Sequence, residues 1–376
     1  MPEAIEVKAG LEGVVVSSTA LSFIDGNAGT LLYRGINIHE LAEKSNFEEI
    51  CYLLWHGRLP NRPEWQHTRE EMGQSRALPM AVVDHLRRIG GAATPMAALR
   101  TGVSLLAVFD PEAEDNSREA NLRKAMRLTG QMATLVAAFD RIRNGKEPIA
   151  PDPALDHACD FLRMLSGRPP DEVSTRAMEM VLVLHADHGF NASTFAARVT
   201  ASTLSDIYSA ITTAIGTLKG PLHGGANEAV MKMLLEIGSP EKVSDYLHQT
   251  LAAKKRVMGF GHRVYKTFDP RAEHLREVSR QLAKRNGNMK WYEMTSKIEE
   301  WMVKEKHLYP NVDLYSASCF YYMGIETDLY TPIFAVSRIA GWSAHVLEQL
   351  ENNRLIRPNA QYVGAFDVSY TPLEKR

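Results

Sequence analysis

From Gly35 almost to its end, the chain carries apolar residues at the spacing of amphipathic α-helices. The run IHELAEKSNFEEICYLLWHG indicates one helix that stops at Gly57 and Pro60. β-Branched and apolar runs, VVVSSTALSFI and TLLYRG, are confined to the first 35 residues, and residues 25–29 between them have hairpin chemistry. Residues 171–190 are apolar nearly all round, as in a helix of a deep core. The sequence therefore predicts an all-α protein with a short N-terminal β-hairpin.

The charge and the cysteines exclude several classes of protein. A formal net charge of -2 gives no general attraction to nucleic acid or to an anionic membrane. No run approaches the roughly 18 apolar residues of a membrane-spanning helix, and the N-terminal MPEAIEVKAG lacks the features of a secretory signal. Cys51, Cys159 and Cys319 have neither disulfide-framework nor zinc-finger spacing. We therefore expect a cytoplasmic protein with no nucleic-acid or membrane partner.

The first segment whose residues are suited to catalysis or ligand binding is GPLHGGANE, residues 220–228. Glycines on both sides of His223 leave its ring approachable and allow backbone N–H groups to face a ligand. The helix predicted to follow begins near the ring, and its N-terminus favours a developing negative charge. A glycine-rich turn whose histidine only hydrogen-bonds to the backbone explains the same residues equally well.

The second segment, residues 257–271, reads VMGFGHRVYKTFDPR. Its GFG is not a dinucleotide-binding motif, because no strand precedes it and the GxGxxG spacing is missing. It predicts an accessible loop that carries His262, and the preceding KKR at 254–256 supplies cations suited to a phosphate. Arg271, after the Asp-Pro turn, has the planar fork that binds carboxylates. A solvated basic loop is the alternative interpretation.

The third segment, PNVDLYSAS at 310–318, presents Asp313 ahead of an aromatic, apolar helix. The simplest role for this aspartate is that of an N-cap. A carboxylate beside apolar side chains is poorly solvated, however, which raises its pKa and makes it a better base. Elsewhere, His185 and His188 lie three residues apart, but no further ligands follow at zinc-like spacing, so we expect no metal site.

Together these segments resemble the active-site segments of the citrate synthase family, which includes the 2-methylcitrate synthases. GPLHGGANE, GFGHRVYKTFDPR and NVDLYSASCFYYMG stand in the family's order, and LSFIDGNAGTLLYRGINIHELA and FAVSRIAGWSAHVLEQ are similar as well. The resemblance covers residues 12–364. It implies the entry step of the tricarboxylic acid cycle, in which acetyl-CoA condenses with oxaloacetate and the citryl-CoA thioester is hydrolysed to citrate and CoA.

The resemblance also implies a role for each matching residue. His223 would hydrogen-bond the thioester oxygen and stabilise its enol, Asp313 would remove the methyl proton, and His262 would polarise the oxaloacetate carbonyl. Oxaloacetate would be bound by His188, Arg271, Arg338 and Arg357. The adenine of CoA would be wrapped by Arg256, Val257, Met258, Gly259 and Phe260. Arg76 is a further candidate for substrate binding, and no metal or redox cofactor is required.

The family's architecture implies a homodimer whose subunits each have two helical domains. The large domain would comprise residues 1–223 and 323–376, and the smaller domain, residues 224–322, would be inserted in it. Closure between the domains would exclude water until condensation is complete. Arg357 would reach into the active site of the neighbouring subunit.

Two alternative functions stay open at this point. A 2-methylcitrate synthase would use propionyl-CoA with the same catalytic residues, and one methylene in an apolar pocket is worth only about 1–3 kcal/mol of discrimination. A non-catalytic helical dimer that binds CoA would be expected to lack Asp313 or one of the two loop histidines, and all three residues are present. A purely structural scaffold has no use for histidines in glycine turns.

Overall fold

The computed structural model describes residues 7–376 and confirms the all-α class. A single antiparallel sheet has the order β1-β2-β3, with strands at Ser22–Asp25, Thr30–Tyr33 and Ile36–Asn37. The α-helices are α1 (Ile38–Lys44), α2 (Phe47–His56), α3 (Arg62–Gln74), α4 (Met80–Ile89), α5 (Pro95–Leu106), α6 (Arg118–Arg143), α7 (His157–Ser166), α8 (Glu172–His185), α9 (Ala192–Ser202), α10 (Ile207–Leu218), α11 (Ala226–Ile237), α12 (Val243–Ala252), α13 (Pro270–Arg285), α14 (Lys290–Lys306), α15 (Val312–Tyr322) and α16 (Tyr330–Glu351). Short 3-10 helices lie at Ala9–Leu11, Gly90–Ala92, Ala107–Phe109, Pro240–Lys242, Thr327–Leu329 and Leu373–Lys375.

The predicted hairpin is present, although it is shorter than its β-branched sequence suggests. Strand β1 pairs with β2 from Ser22↔Tyr33 to Asp25↔Thr30, and residues 14–19 lie outside any strand. The Asp25 carboxylate closes the turn by accepting hydrogen bonds from the N–H groups of Asn27 and Ala28, both at 2.9 Å. The β-branched run before β1 has no neighbouring strand to pair with, so its propensity is not realised.

The single helix predicted to end at Gly57 is two helices in the structure. The break falls at residues 45–46, where Asn46 and Glu49 form a capping box. The Asn46 side chain accepts from the Glu49 N–H at 2.9 Å, and the Glu49 carboxylate accepts from the Asn46 N–H at 3.1 Å. Polar residues that satisfy the backbone locally thus end α1 and start α2 inside one amphipathic pattern.

The core is organised around α16, most of whose residues are buried and which packs against α2, α6, α8, α9 and α10. Residues 181–184 of α8 are all buried, as the apolar pattern predicted. Helices α11 to α15 pack on one another, while α13 also contacts α1 and α8. Within residues 7–376, no helix is long and apolar enough to cross a membrane.

Candidate active site

His223 lies in the turn between α10 and α11, with its ring against the start of α9. Its Nε2 lies 2.8 Å from the Oγ of Ser193 and 3.3 Å from the Ser193 backbone N–H. Because a backbone N–H can only donate, Nε2 is the acceptor and the neutral ring carries its proton on Nδ1. Burial, assisted by the charge of Arg338, lowers the pKa of His223 to about 4. His223 is therefore a neutral imidazole that offers an Nδ1–H donor.

His262 lies in the loop between α12 and α13, and the backbone orients its ring. Its Nδ1 accepts from the N–H groups of Val264 at 3.0 Å and Tyr265 at 3.1 Å. By the same reasoning, the proton of the neutral ring is on Nε2. Burial and the nearby Arg271 charge lower the pKa of His262 to about 4. A second neutral imidazole thus presents an N–H donor.

His188 lies beside His262, although the two residues come from different loops. Helix α8 ends at His185, and the chain then carries His188 to within 5.1 Å of His262, measured between ring centroids. The Nε2 of His188 lies 3.2 Å from the hydroxyl of Tyr265. Burial, followed by the charge of Arg271, holds the pKa of His188 well below its ordinary value. Three imidazoles are therefore neutral in this region at pH 7.

The loop that bears His188 is held by residues that the sequence motifs did not single out. The carboxylate of Asp187 accepts a 2.6 Å hydrogen bond from Ser22 of β1 and lies 3.3 Å from the His345 ring. The backbone N–H of Gly189 donates to the Ser22 hydroxyl at 2.9 Å. On α16, Gly341 donates to the Ala186 carbonyl at 3.0 Å, and a Cβ at position 341 would lie 2.4 Å from that oxygen. Only glycine permits this approach of α16 to the loop.

Two buried guanidinium groups place positive charge near these histidines. Arg271 is 3% exposed, and its Nε and one terminal nitrogen bind the two oxygens of Asp269 at 2.9 and 2.7 Å. Arg338 is 1% exposed; its Nε donates to the His185 carbonyl at 2.6 Å, and its guanidinium lies 4.5 Å from the centre of the Phe334 ring. Burial lowers the pKa of Arg338 to about 10, so it stays charged at neutral pH. Such a pair suits an anionic ligand.

Asp313 lies in the first turn of α15, but it is not the N-cap. That position belongs to Asn311, whose side-chain oxygen accepts from the Asp313 N–H at 3.0 Å. The prediction of a capping role for Asp313 is therefore wrong. Its carboxylate does not cap α15 and can interact with a ligand. Desolvation, only partly offset by the charge of Arg271, raises the pKa of Asp313 to about 6. The burial expected from the aromatic helix thus outweighs the favourable helix N-terminus.

Asn311 also joins the loop before His262 to the helix that carries Asp313. Its backbone N–H donates to the Gly259 carbonyl at 2.9 Å, and its side-chain amide donates to the Gly261 carbonyl at 3.0 Å. Gly259 has a φ of +84°, and a Cβ there would lie 2.8 Å from the Leu314 side chain. Asp269 adds a further tie, because its carboxylate accepts from the Val312 N–H at 3.2 Å. The second and third sequence segments are therefore one structural unit.

The remaining predicted site residues lie at the edge of this cluster or apart from it. In the proposed CoA loop, Arg256 is exposed and Val257 is buried. Arg357 is exposed, and its guanidinium donates to the side chain of Asn359 at 2.9 Å. Arg76 is fully buried and forms a 3.1 Å ion pair with Asp160. Among the described residues, no group of three or more His, Cys, Asp or Glu side chains could hold a metal ion.

This arrangement can move a proton between neutral and charged partners. A carboxylate whose pKa is raised and imidazoles whose pKa is lowered are the combination that general acid–base chemistry uses near neutral pH. Their position near buried guanidinium groups makes the site suitable for a carboxylate-bearing ligand. The protein is thus of the class of all-helical enzymes.

Known proteins identify its family within that class. The family model described as "Citrate synthase, C-terminal domain" matches residues 10–359. "Citrate synthase 2" of Bacillus subtilis is 52% identical over 368 residues, which cover 98% of each chain. The chain therefore belongs to the citrate synthase family, whose members are acyl-transferring enzymes.

Two further similarities bear on the substrates. The "2-methylcitrate synthase" of Mycobacterium tuberculosis is 41% identical over 362 residues, covering 96% of this chain and 92% of that protein. A solved structure, the ternary complex of citrate synthase from Thermoplasma acidophilum with carboxymethyl coenzyme A and oxaloacetate, superposes with a TM-score of 0.92. It is 35% identical and covers 99% of this chain and all of its own. The fold of the two proteins is therefore the same.

Proposed function

We propose that this enzyme condenses acetyl-CoA with oxaloacetate and then hydrolyses citryl-CoA, with Asp313, His223 and His262 as its catalytic residues. The observation that carries the proposal is the opposite displacement of their pKa values. The pKa of the carboxyl is raised to about 6, while those of both histidines are lowered to about 4. At pH 7 the site therefore holds one ionised base and two neutral hydrogen-bond donors, which is the set that enol formation needs.

In the first step Asp313 takes a proton from the methyl group of acetyl-CoA. The electron pair of that C–H bond forms the C=C bond, and the π pair of the thioester C=O bond moves to its oxygen, which gives the enolate. Nδ1–H of His223 donates a hydrogen bond to that oxygen and stabilises its negative charge. General acid–base assistance is worth roughly 10²–10⁴-fold in rate, and an oriented donor to the oxyanion adds about 10²–10³-fold.

In the second step the enolate carbon attacks the ketone carbon of oxaloacetate: the C=C pair forms the new C–C bond, and the oxygen pair restores the thioester C=O bond. The ketone oxygen takes up the π pair of its own C=O bond and is stabilised by a hydrogen bond from Nε2–H of His262. This oxygen then takes a proton from water to become the hydroxyl of citryl-CoA, and Asp313 returns its proton to water. The carboxylates of oxaloacetate are bound by His188, Arg271, Arg338 and the partner subunit's copy of Arg357. Water then attacks the thioester, and CoA leaves as its thiol. No cofactor beyond the two substrates takes part.

The assembly that we propose is a homodimer of two-domain subunits. The small domain is residues 224–322, and it closes on the large domain, residues 1–223 and 323–376, when oxaloacetate bridges Arg271 and Arg338. Residues 256–260 wrap the CoA adenine. Two observations support a role of Arg357 outside its own subunit's site: its side chain is exposed, and its guanidinium donates to the side chain of Asn359. The three free cysteines support a reducing compartment, for which we propose the cytoplasm.

Acetyl-CoA is the preferred acyl donor in this proposal. The relative named citrate synthase 2 is 52% identical to the chain, whereas the one named 2-methylcitrate synthase is 41% identical. Release of the CoA thiol, measured with oxaloacetate and either acetyl-CoA or propionyl-CoA, tests the choice. We expect kcat/KM for acetyl-CoA to exceed that for propionyl-CoA by about 10–200-fold. The reverse order would reassign the enzyme as a 2-methylcitrate synthase. If no thiol is released with either donor, the proposal is overturned.

A further inference from the structure

We propose that the N-terminal β-hairpin is a positioning element of the active site, with Gly26 in its turn holding the peptide unit that orients His262. The inference rests on the proposed role of His262 as the donor to the oxaloacetate carbonyl. It assigns the hairpin a function beyond contributing to the core, and it concerns a segment that precedes the catalytic loop by more than two hundred residues.

The turn and the loop are in direct backbone contact. The carbonyl of Gly26 accepts from the N–H of Lys266 at 2.8 Å. A Cβ at position 26 would lie 2.1 Å from the carbonyl oxygen of Val264 and 2.8 Å from its carbonyl carbon. Gly26 is not among the residues with a positive φ, so its backbone conformation is open to any residue. Glycine is required here because the loop backbone lies too close for a side chain.

The contacted atoms are the ones that hold the catalytic ring. The carbonyl of Val264 and the N–H of Tyr265 belong to one planar peptide unit. That N–H donates to Nδ1 of His262 at 3.1 Å, beside the Val264 N–H at 3.0 Å. A side chain at position 26 would displace the Val264 oxygen, and because the peptide unit is planar, this would rotate the Tyr265 N–H away from the His262 ring. One of the two hydrogen bonds that orient the ring, with Nδ1 as acceptor and Nε2–H as donor, therefore depends on the position of Gly26.

The hairpin is firm enough to act as a support. Its turn is closed by the Asp25 carboxylate, which accepts the N–H groups of Asn27 and Ala28. A second contact braces the loop further along, because a Cβ at Gly29 would lie 3.0 Å from the Phe268 carbonyl oxygen. Ser22, at the other end of β1, binds the Asp187 carboxylate beside His188. One two-stranded unit thus supports both loops that bring histidines to oxaloacetate.

The test is Gly26→Ala with Gly91→Ala as the matched control, since a Cβ at position 91 meets nothing within 4 Å and its φ is not positive. We expect Gly26→Ala to lower kcat by about 10–10²-fold, as misplacement of a catalytic group by about 1 Å does. The infrared carbonyl stretch of bound oxaloacetate should shift toward its value in water, because it reports the hydrogen bond from His262. Gly91→Ala should leave both quantities unchanged. Wild-type kcat together with a wild-type carbonyl stretch in Gly26→Ala would overturn the inference.

A second pair of variants keeps the inference falsifiable if Gly26→Ala fails to fold. Asp25→Ala removes the acceptor that closes the turn, whereas Asp25→Asn keeps an oxygen there. We expect the carbonyl shift and the loss of kcat in the first variant and their rescue in the second; equal, wild-type values in both would refute the supporting role. His262→Ala distinguishes a failure of the proposed role of His262 from a failure of the proposed role of the hairpin. If His262→Ala retains wild-type activity, the proposed function of His262 fails, and if only the hairpin variants retain it, the inference alone fails.

Discussion

The backbone N–H of Ser193 donates to Nε2 of His223 at 3.3 Å, and the hydroxyl of the same serine lies 2.8 Å from that nitrogen. The indole N–H of Trp342 donates to this hydroxyl at 3.1 Å, and the side-chain oxygen of Asn191 lies 2.8 Å from it. The N-terminal turn of α9 thus sets both the tautomer and the direction of the proposed thioester-binding ring. Each contact suggests a measurable role.

We expect Ser193→Ala to lower kcat by about 2- to 10-fold, the net worth of one hydrogen bond. The loss is modest because the backbone N–H still fixes the tautomer of His223. The KM for oxaloacetate should stay unchanged, since this ring faces the other substrate. Ser209→Ala is the matched control, because Ser209 bonds in the same way to the N-cap of its own helix, Asp206. Equal kcat values in the two variants would contradict the role of the Ser193 hydroxyl.

We expect Asp313→Asn to lower kcat by about 10²–10⁴-fold, because the amide cannot accept the methyl proton. Oxaloacetate affinity, measured by calorimetric titration, should change little, since the base acts on acetyl-CoA. Asp245→Asn provides the control, as Asp245 is an exposed first-turn carboxylate on α12. Turnover close to that of wild type in Asp313→Asn would remove Asp313 from the mechanism.

The pH dependence of activity should show the raised pKa of Asp313. As the pH falls through about 6, the carboxyl takes up a proton and kcat/KM for acetyl-CoA declines tenfold per pH unit. His223 and His262, with pKa values of about 4, stay neutral above pH 5 and therefore cause no decline of kcat/KM in that range. A profile of kcat/KM from pH 5 to 8 checks this. A value of kcat/KM that stays constant down to pH 5 would contradict the desolvation of Asp313.

Asp313 should also cost the protein stability at neutral pH. Its pKa of about 6 in the folded state lies above that of an ordinary aspartate, so unfolding favours the ionised form. The free energy of unfolding therefore rises as the pH falls from above 6 to about 4, where both states become protonated. We expect Asp313→Asn to melt at a higher temperature than wild type at pH 8, with a smaller difference at pH 5. A melting-temperature difference independent of pH would be inconsistent with an ionised carboxylate that is desolvated in the folded state.

The trans contribution of Arg357 can be tested by mixing two inactive variants. His262→Ala and Arg357→Ala should each be nearly inactive as homodimers. In a mixed dimer one site collects both lesions and the other has neither, so random exchange should restore about a quarter of wild-type activity. Mass spectrometry confirms that exchange has occurred. If no activity returns after confirmed exchange, Arg357 acts within its own subunit.

The helices, the hairpin turn and the family of this protein can be predicted from short stretches of its sequence. The period of apolar residues predicts helices, and the hairpin turn follows from the spacing and chemistry of residues 25–29. Glycines beside His223 and the GFG before His262 mark the two turns that we propose to be catalytic, and motif order alone indicates the family that whole-chain similarity establishes. These features depend on residues within a few positions of one another, which is why sequence reasoning finds them.

Other features exist only because distant segments meet. Asp313 looks like an N-cap until Asn311 is seen to take that position, and its raised pKa comes from packing that no local window contains. The contact of Ser193 with His223 spans thirty residues, and that of Ser22 with Asp187 spans 165. Hydrogen-bond direction, desolvation and the close approach at Gly26 are properties of three-dimensional packing. Local sequence thus specifies which groups are present and on which turns they lie. Whether each group is neutral or charged, and what orients it, depends on the packing of segments that are distant in the chain.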